Sequence, residues 1–91
     1  MKEDFKMKEF VYKIKDSVGI HARPAGELVK IAAGFKSDIK IKKGERTADA
    51  KKIFSVMTLG AAQNDEVLVT IDGSDEESAF DAIKKFFEER L

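Results

Sequence analysis

The hydrophobic residues of this chain change their spacing along its length, and that change leaves few architectures open. Phe10, Tyr12 and Ile14 alternate with polar or smaller neighbours, as do Ile39 and Ile41, and again Val67, Val69 and Ile71. A period of two puts each set on one face of a strand, so three half-buried strands are predicted, each in need of a cover. Elsewhere the period lengthens. Ala25, Leu28, Val29, Ala32 and Phe35 recur at steps of three and four after Pro24, predicting an amphipathic helix over about residues 22–33 that Gly34 closes. Ala79, Ala82, Ile83, Phe86 and Phe87 form a second stripe, and Ser74 with Glu77 three residues on reads as a capping box at its start. Weaker signals add a strand from Arg46 to Ala50, turned back at Gly44, and a short helix through Ile53, Phe54, Val56 and Met57 that ends at Gly60. Asn64 suits a left-handed turn position. The order is β-α-β-β-α-β-α, and its economical packing is helices on one side of a mostly antiparallel sheet, the other face open to water. The pattern leaves the strand order open.

Composition narrows the chemistry. The 91 residues make one small domain with no room for a second lobe or a deep cofactor cavity. Seventeen basic and 17 acidic side chains cancel, so nothing global draws the chain to nucleic acid or to an anionic membrane, and any electrostatic function must be local. There is no cysteine, which excludes disulfides and thiolate chemistry. No stretch approaches the roughly 18 apolar residues of a membrane span, and the chain reads as cytoplasmic. A single histidine without cysteine argues against a metal site, and no phosphate-binding glycine loop or nucleophile elbow is present. The expectation is a relay without cofactor or metal, not a self-standing enzyme.

The one histidine and the one proline fall together, in G-I-H-A-R-P-A-G from Gly19 to Gly26. His21 is placed at or beside the start of the first helix, and Pro24 in its first turn, where a missing N–H costs nothing. The backbone N–H groups of Ala22 and Arg23 are then free, and a helix N-terminus attracts anions. An imidazole beside such a pocket, with a guanidinium two residues away, suits a phosphoryl acceptor. From spacing alone, a surface histidine and a solvated arginine remain an open alternative.

Together with K-K-I-F-S-V-M-T-L-G from Lys51 to Gly60, this motif resembles HPr, the family of histidine-containing phosphocarriers of the bacterial sugar phosphotransferase system. The resemblance spans residues 8–91 as a single domain and leaves residues 1–7 as an N-terminal extension. It implies an α+β open-faced β-sandwich, with three helices on one face of a four-stranded antiparallel sheet. It also implies phosphorylation of His21 at Nδ1 by phospho-Enzyme I, with phosphoenolpyruvate as ultimate donor, and onward transfer to IIA proteins or domains. Arg23 becomes the phosphate-facing arginine, and the N–H groups of Ala22 and Arg23 line the phosphate position. Ile53, Phe54 and Met57 belong by resemblance to the apolar patch that meets both partners, and Phe54 and Met57 are expected to be at least partly exposed; Lys30, Lys51 and Lys52 offer a basic rim toward acidic partners, a solvated charge being the open alternative for each. A monomer is expected.

One departure is visible. The serine that many Gram-positive members present to HPr kinase should open the short helix, and Lys52 stands there, while Ser55 matches a different position. Two other readings stay open: a regulatory paralogue that signals through its phosphorylation state, and a nucleic-acid-binding domain using Lys40, Lys42 and Lys43 on the open sheet. Zero net charge and the lack of stacking aromatics on that strand stand against the latter.

Overall fold

A computed structural model describes residues 7–91, so the extension assigned to residues 1–7 lies, Met7 apart, outside the described residues. The elements are β1 (Lys8–Lys13), α1 (Ala22–Ala33), β2 (Asp38–Lys43), β3 (Arg46–Asp49), α2 (Ile53–Thr58), β4 (Glu66–Asp72) and α3 (Glu76–Arg90). The four strands form one sheet in the order β1-β4-β2-β3, with every neighbour antiparallel. The last strand to form in sequence therefore lies between the first two. The two-residue turn Gly44–Glu45 joins β2 to β3, and Gly44 takes a positive φ of 59° there.

Alternation along the strands separates two environments. Ile39 and Ile41 of β2, Val67, Val69 and Ile71 of β4, and Ile14 just past β1 are fully or almost fully buried under the helices. Lys40, Lys42 and Val11 are exposed on the open face. Leu28 and Ala32 of α1 meet Ala79, Ile83 and Phe87 of α3 in the same cluster. Phe87 is its aromatic centre: the rings of Phe10, Tyr12 and Phe86 stand edge-on to it at centroid distances of 5.6, 5.5 and 6.2 Å. Such edge-to-face pairs add about 0.5–1.5 kcal/mol each beyond the area they bury.

Two expectations need correction. Helix α3 is capped by Asp75, not Ser74, and the reach-back runs from the Glu76 carboxylate to the N–H of Gly73 (3.2 Å), one position earlier than the Ser74 and Glu77 pair. Asp75 displaces Ser74 because its carboxylate is fixed from outside the helix, by the N–H groups of Lys36 and Ser37 and the Ser37 hydroxyl. Lys43 is likewise not on the open face with Lys40 and Lys42. It shares the parity of Ile39 and Ile41, and its ammonium turns to the helix side to meet Gly60 and Asp65.

Candidate functional site at the start of helix α1

His21 is the N-cap of α1. Its backbone is extended (φ −100°, ψ −174°), its carbonyl accepts the first helical bond from Ala25 N–H (2.9 Å), and its half-buried side chain makes no capping bond. Ala22, Arg23 and Pro24 then fill the first turn. The N–H groups of Ala22 and Arg23 have no carbonyl one turn behind them, and Pro24 has no N–H to leave unpaired. Pro24 is buried; Ala22 and Arg23 are exposed. No acidic side chain occupies this turn, and Arg23 has no ion pair among the described residues. Electrostatically the turn favours negative charge, with the first N–H groups of a helix and an exposed guanidinium near an imidazole.

The loop that delivers His21 is held by the segment after α2. Ile20 N–H donates to the Ala61 carbonyl (3.0 Å), and His21 N–H donates to the Gly19 carbonyl (3.1 Å). Gly19 must be glycine for two reasons. Its φ is +77°, and a Cβ there would collide with the Ala61 carbonyl oxygen, so any larger residue would push the two segments apart. Gly60, also at positive φ (71°), ends α2 and turns the chain toward that contact.

Beside this turn lies the exposed face of α2. Gly26, one turn along α1, faces Ile53: a Cβ at Gly26 would meet the Ile53 Cδ1 at 3.8 Å, an ordinary contact. Phe54 is 78% exposed, Ile53 and Met57 are 36% and 38% exposed, and Val56 alone of the helix is buried. Six residues make too short a helix to bury more than one stripe, so the apolar side chains opposite Val56 stay in solvent.

The predicted basic residues separate into different roles. Lys30 is exposed in the last turn of α1, four residues beyond Gly26 and so on the same helical face. Lys52 is the exposed N-cap of α2 and makes no capping bond. Lys51 is half-buried, and its Nζ donates to the Phe35 carbonyl (2.7 Å), which ties the end of α1 to the entry of α2. Ser55 faces the sheet side, its Oγ accepting the Asp49 N–H (2.8 Å) beside a cleft of about 280 Å³ lined by Arg46, Thr47, Thr58 and Leu59. Reading the motifs did not find Asp65, the partner of Lys43. The available signal was a lysine at a core-facing strand position, which asks for an acceptor nearby.

Fold and site together define a small open-faced α+β sandwich that presents its only histidine at a helix start, next to an exposed apolar helix. Comparison with known proteins sharpens this. The family model described as the PTS HPr component phosphorylation site matches residues 8–89. The phosphocarrier protein HPr of Mycoplasma genitalium is 45% identical over 83 residues, which span 90% of this chain and 94% of that protein. Among solved structures, the histidine-containing phosphocarrier protein of a mycoplasma superposes with a TM-score of 0.85 at 38% identity, covering 87% of this chain and 90% of that one. The HPr-C-His protein of Thermoanaerobacter tengcongensis gives 0.84 at 38% identity, covering 89% and 91%. The chain belongs to the HPr family of phosphocarrier proteins of the phosphotransferase system.

Proposed function

We propose that this chain accepts a phosphoryl group on Nδ1 of His21 from phospho-Enzyme I and passes it to IIA proteins or domains of sugar permeases. The observation that carries this reading is the position of the only histidine: it is the N-cap of α1, its side chain makes no capping bond, and beside it lie the first two N–H groups of the helix and an Arg23 with no ion pair among the described residues. In the forward step the Nδ1 lone pair attacks phosphorus as the bond from phosphorus to the donor group of Enzyme I breaks. The N–H groups of Ala22 and Arg23 and the Arg23 guanidinium then face the new dianion. In the second step an acceptor on IIA attacks the same phosphorus and the bond to Nδ1 breaks, which restores the free imidazole.

A carrier must not hold its cargo too well. A hydrogen bond to a charged group contributes about 1.5–3 kcal/mol, and each ~1.4 kcal/mol shifts the transfer equilibrium tenfold. An exposed Arg23 stabilises the phosphate while leaving it open to attack, and the partner supplies the walls that exclude water. The partner surface we assign is Ile53, Phe54 and Met57 with Lys30 and Lys52 at its rim. Lys51 contributes less, since its ammonium already serves the Phe35 carbonyl. A monomer in the cytoplasm fits this role; among the described residues no helix is long and apolar enough to cross a membrane.

The test is incubation with phosphoenolpyruvate and Enzyme I, followed by intact mass analysis. One acid-labile, base-stable phosphate on His21 is expected, and transfer to a IIA protein should remove it. A chain that docks on Enzyme I but never gains that mass would refute the carrier reading.

A further inference from the structure

The His21 loop rests on the segment that follows α2, and that segment is itself held by a side-chain pair outside the family motifs quoted above. Lys43 Nζ donates to the Gly60 carbonyl (2.9 Å) and pairs with Asp65 Oδ2 (3.1 Å). The same Asp65 oxygen accepts the N–H of Ala62 (2.9 Å). Lys43 thus grips the segment at both ends of Gly60–Asp65, and the Ala61 carbonyl between these holds projects onto Ile20 N–H and against Gly19. Backbone bonds with Ile14 fix only the far end: Asn64 N–H donates to the Ile14 carbonyl, and Ile14 N–H donates to the Asp65 carbonyl. At the near end, where Ala61 meets the His21 loop, Ala61 is buried in the core and the polar holds come from side chains, Lys43 on the Gly60 carbonyl and Asp65 on the Ala62 N–H.

The charge balance supports an intact pair. The Asp65 carboxyl is held below the usual carboxylate range by the Ala62 N–H first and by Lys43 next. Both side chains are about one-third exposed (34% and 33%), and an ion pair so placed adds little to global stability. What it can do is fix a local geometry, and the geometry it fixes is the height of the Ala61 carbonyl under Ile20.

We propose that Lys43, clamped by Asp65, is a positioning residue for the phosphoacceptor His21, acting through the Gly60–Ala61 segment. The inference rests on the reading of His21 as phosphoacceptor. Without the clamp the Ala61 carbonyl, still anchored by the buried Ala61 side chain, is held less closely, the Ile20 N–H bond opens more often, and the imidazole adjoining it samples orientations that do not present Nδ1 to the incoming phosphorus. Docking on the α2 patch is expected to be unchanged, since among the described residues no hydrogen bond or ion pair joins the side chains of Ile53, Phe54 or Met57 to Lys43.

The test compares the parent chain, Lys43→Met and Lys43→Arg in two measurements: steady-state phosphorylation of His21 by Enzyme I, and hydrogen exchange of the Ile20 amide read by NMR. For Lys43→Met, kcat should fall roughly 3- to 10-fold with KM unchanged, the pattern of a lost orienting contact. Exchange at Ile20 should quicken by a comparable factor while the Val69 and Ile83 amides keep theirs. Lys43→Arg, which can donate to both Gly60 and Asp65, should restore kcat and protection to within about twofold. Unchanged Ile20 exchange, faster exchange with unchanged kcat, a rise in KM alone, or exchange that quickens equally at Val69 and Ile83 would each overturn the proposal. Should the parent chain take no phosphate on His21, the functional reading fails by itself, and the Ile20 amide still decides whether Lys43 holds the loop.

Discussion

The edge of the molecule where α1 and α2 begin and the seam where α3 begins treat their polar groups in opposite ways. At the first, His21 and Lys52 stand as N-caps whose side chains bond to nothing in their helices, and Phe54 lies 78% exposed between solvent and Val56. At the second, Asp75 likewise gives its own helix no side-chain cap but accepts three hydrogen bonds from Lys36 and Ser37, Glu76 reaches back to Gly73, and Ser37 is fully buried. The three helix starts belong to one chain of balanced charge, so composition does not explain the contrast. Open donors and exposed apolar surface collect at the edge to which we assign phosphate and partner, while the seam that holds two loops together fills its own valences.

The largest predicted effect falls on the open edge. His21→Ala should abolish phosphorylation by Enzyme I completely with an unchanged unfolding temperature, because the chain has no second histidine and the ring caps nothing. Phosphate that remains after this substitution would place the acceptor elsewhere. The next comparison sets two phenylalanines against each other. Phe87→Ala, at a fully buried site ringed by Phe10, Tyr12 and Phe86, should cost about 3–5 kcal/mol of stability by urea titration. Phe54→Ala should cost less than about 1 kcal/mol in the same titration yet weaken association with Enzyme I by about 1–2 kcal/mol, read by calorimetry. Equal losses of stability would erase the distinction between edge and core.

Much of the contrast was legible in the sequence. The switch of period from two to 3.6 located three of the strands and the two long helices, because elements that bury one face must repeat with their own geometry, while β3 and α2 showed only through the turn at Gly44 and the stop at Gly60. The start of α1 was legible for the same local reason: Pro24 is tolerated in a first turn and His21 must then precede it. What stayed hidden depends on contacts distant in sequence. Strand order is set by pairings such as Ile39 with Ile71, which no local pattern encodes. Asp75 took the cap from Ser74 because Lys36 and Ser37, some 38 residues away, bind its carboxylate. Lys43 reads in sequence as a surface charge like Lys40 and Lys42, because a charged residue at an inward strand position becomes intelligible only when its acceptors, Gly60 and Asp65, arrive from another loop.

The filled seam makes its own prediction in acid. The Asp75 carboxyl is held below its ordinary range, first by the Ser37 hydroxyl and then by the Lys36 N–H. A depressed carboxylate contributes stability that is complete above the unfolded-state value and is lost as pH falls through the folded one. The unfolding temperature should therefore decline on acidification below the ordinary aspartate range of about 4. Asp75→Asn, which keeps an acceptor oxygen but cannot titrate, should make that decline shallower, as followed by circular dichroism at a series of pH values. A decline of identical slope in the variant would show that Asp75 is not one of the groups behind it.

The smallest predicted effect concerns Lys52, the N-cap of the six-residue α2. An N-cap prefers an oxygen that accepts a free backbone N–H; lysine offers none and adds a positive charge at the positive end of the helix dipole. Lys52→Ser should therefore raise stability by about 0.5–1 kcal/mol, the range for a restored cap on a short exposed helix. The same substitution would give HPr kinase a hydroxyl where the parent presents an ammonium. A phosphate there would set nearly two negative charges at the start of the helix that exposes Ile53, Phe54 and Met57, which supplies a physical route to blocking the partner. In the parent chain the nearest hydroxyl, Ser55, already accepts the Asp49 N–H and is half-buried, so no phosphate is expected on it. Incubation of both chains with ATP and the kinase, then peptide mapping of residues 47–60, separates the cases. Phosphate confined to Lys52→Ser, with loss of Enzyme I binding, would mark the open edge as a surface freed from this control by one residue. Phosphate on Ser55, Thr47 or Thr58 of the parent would mean that the control had shifted along the same helix and that the free edge is regulated after all.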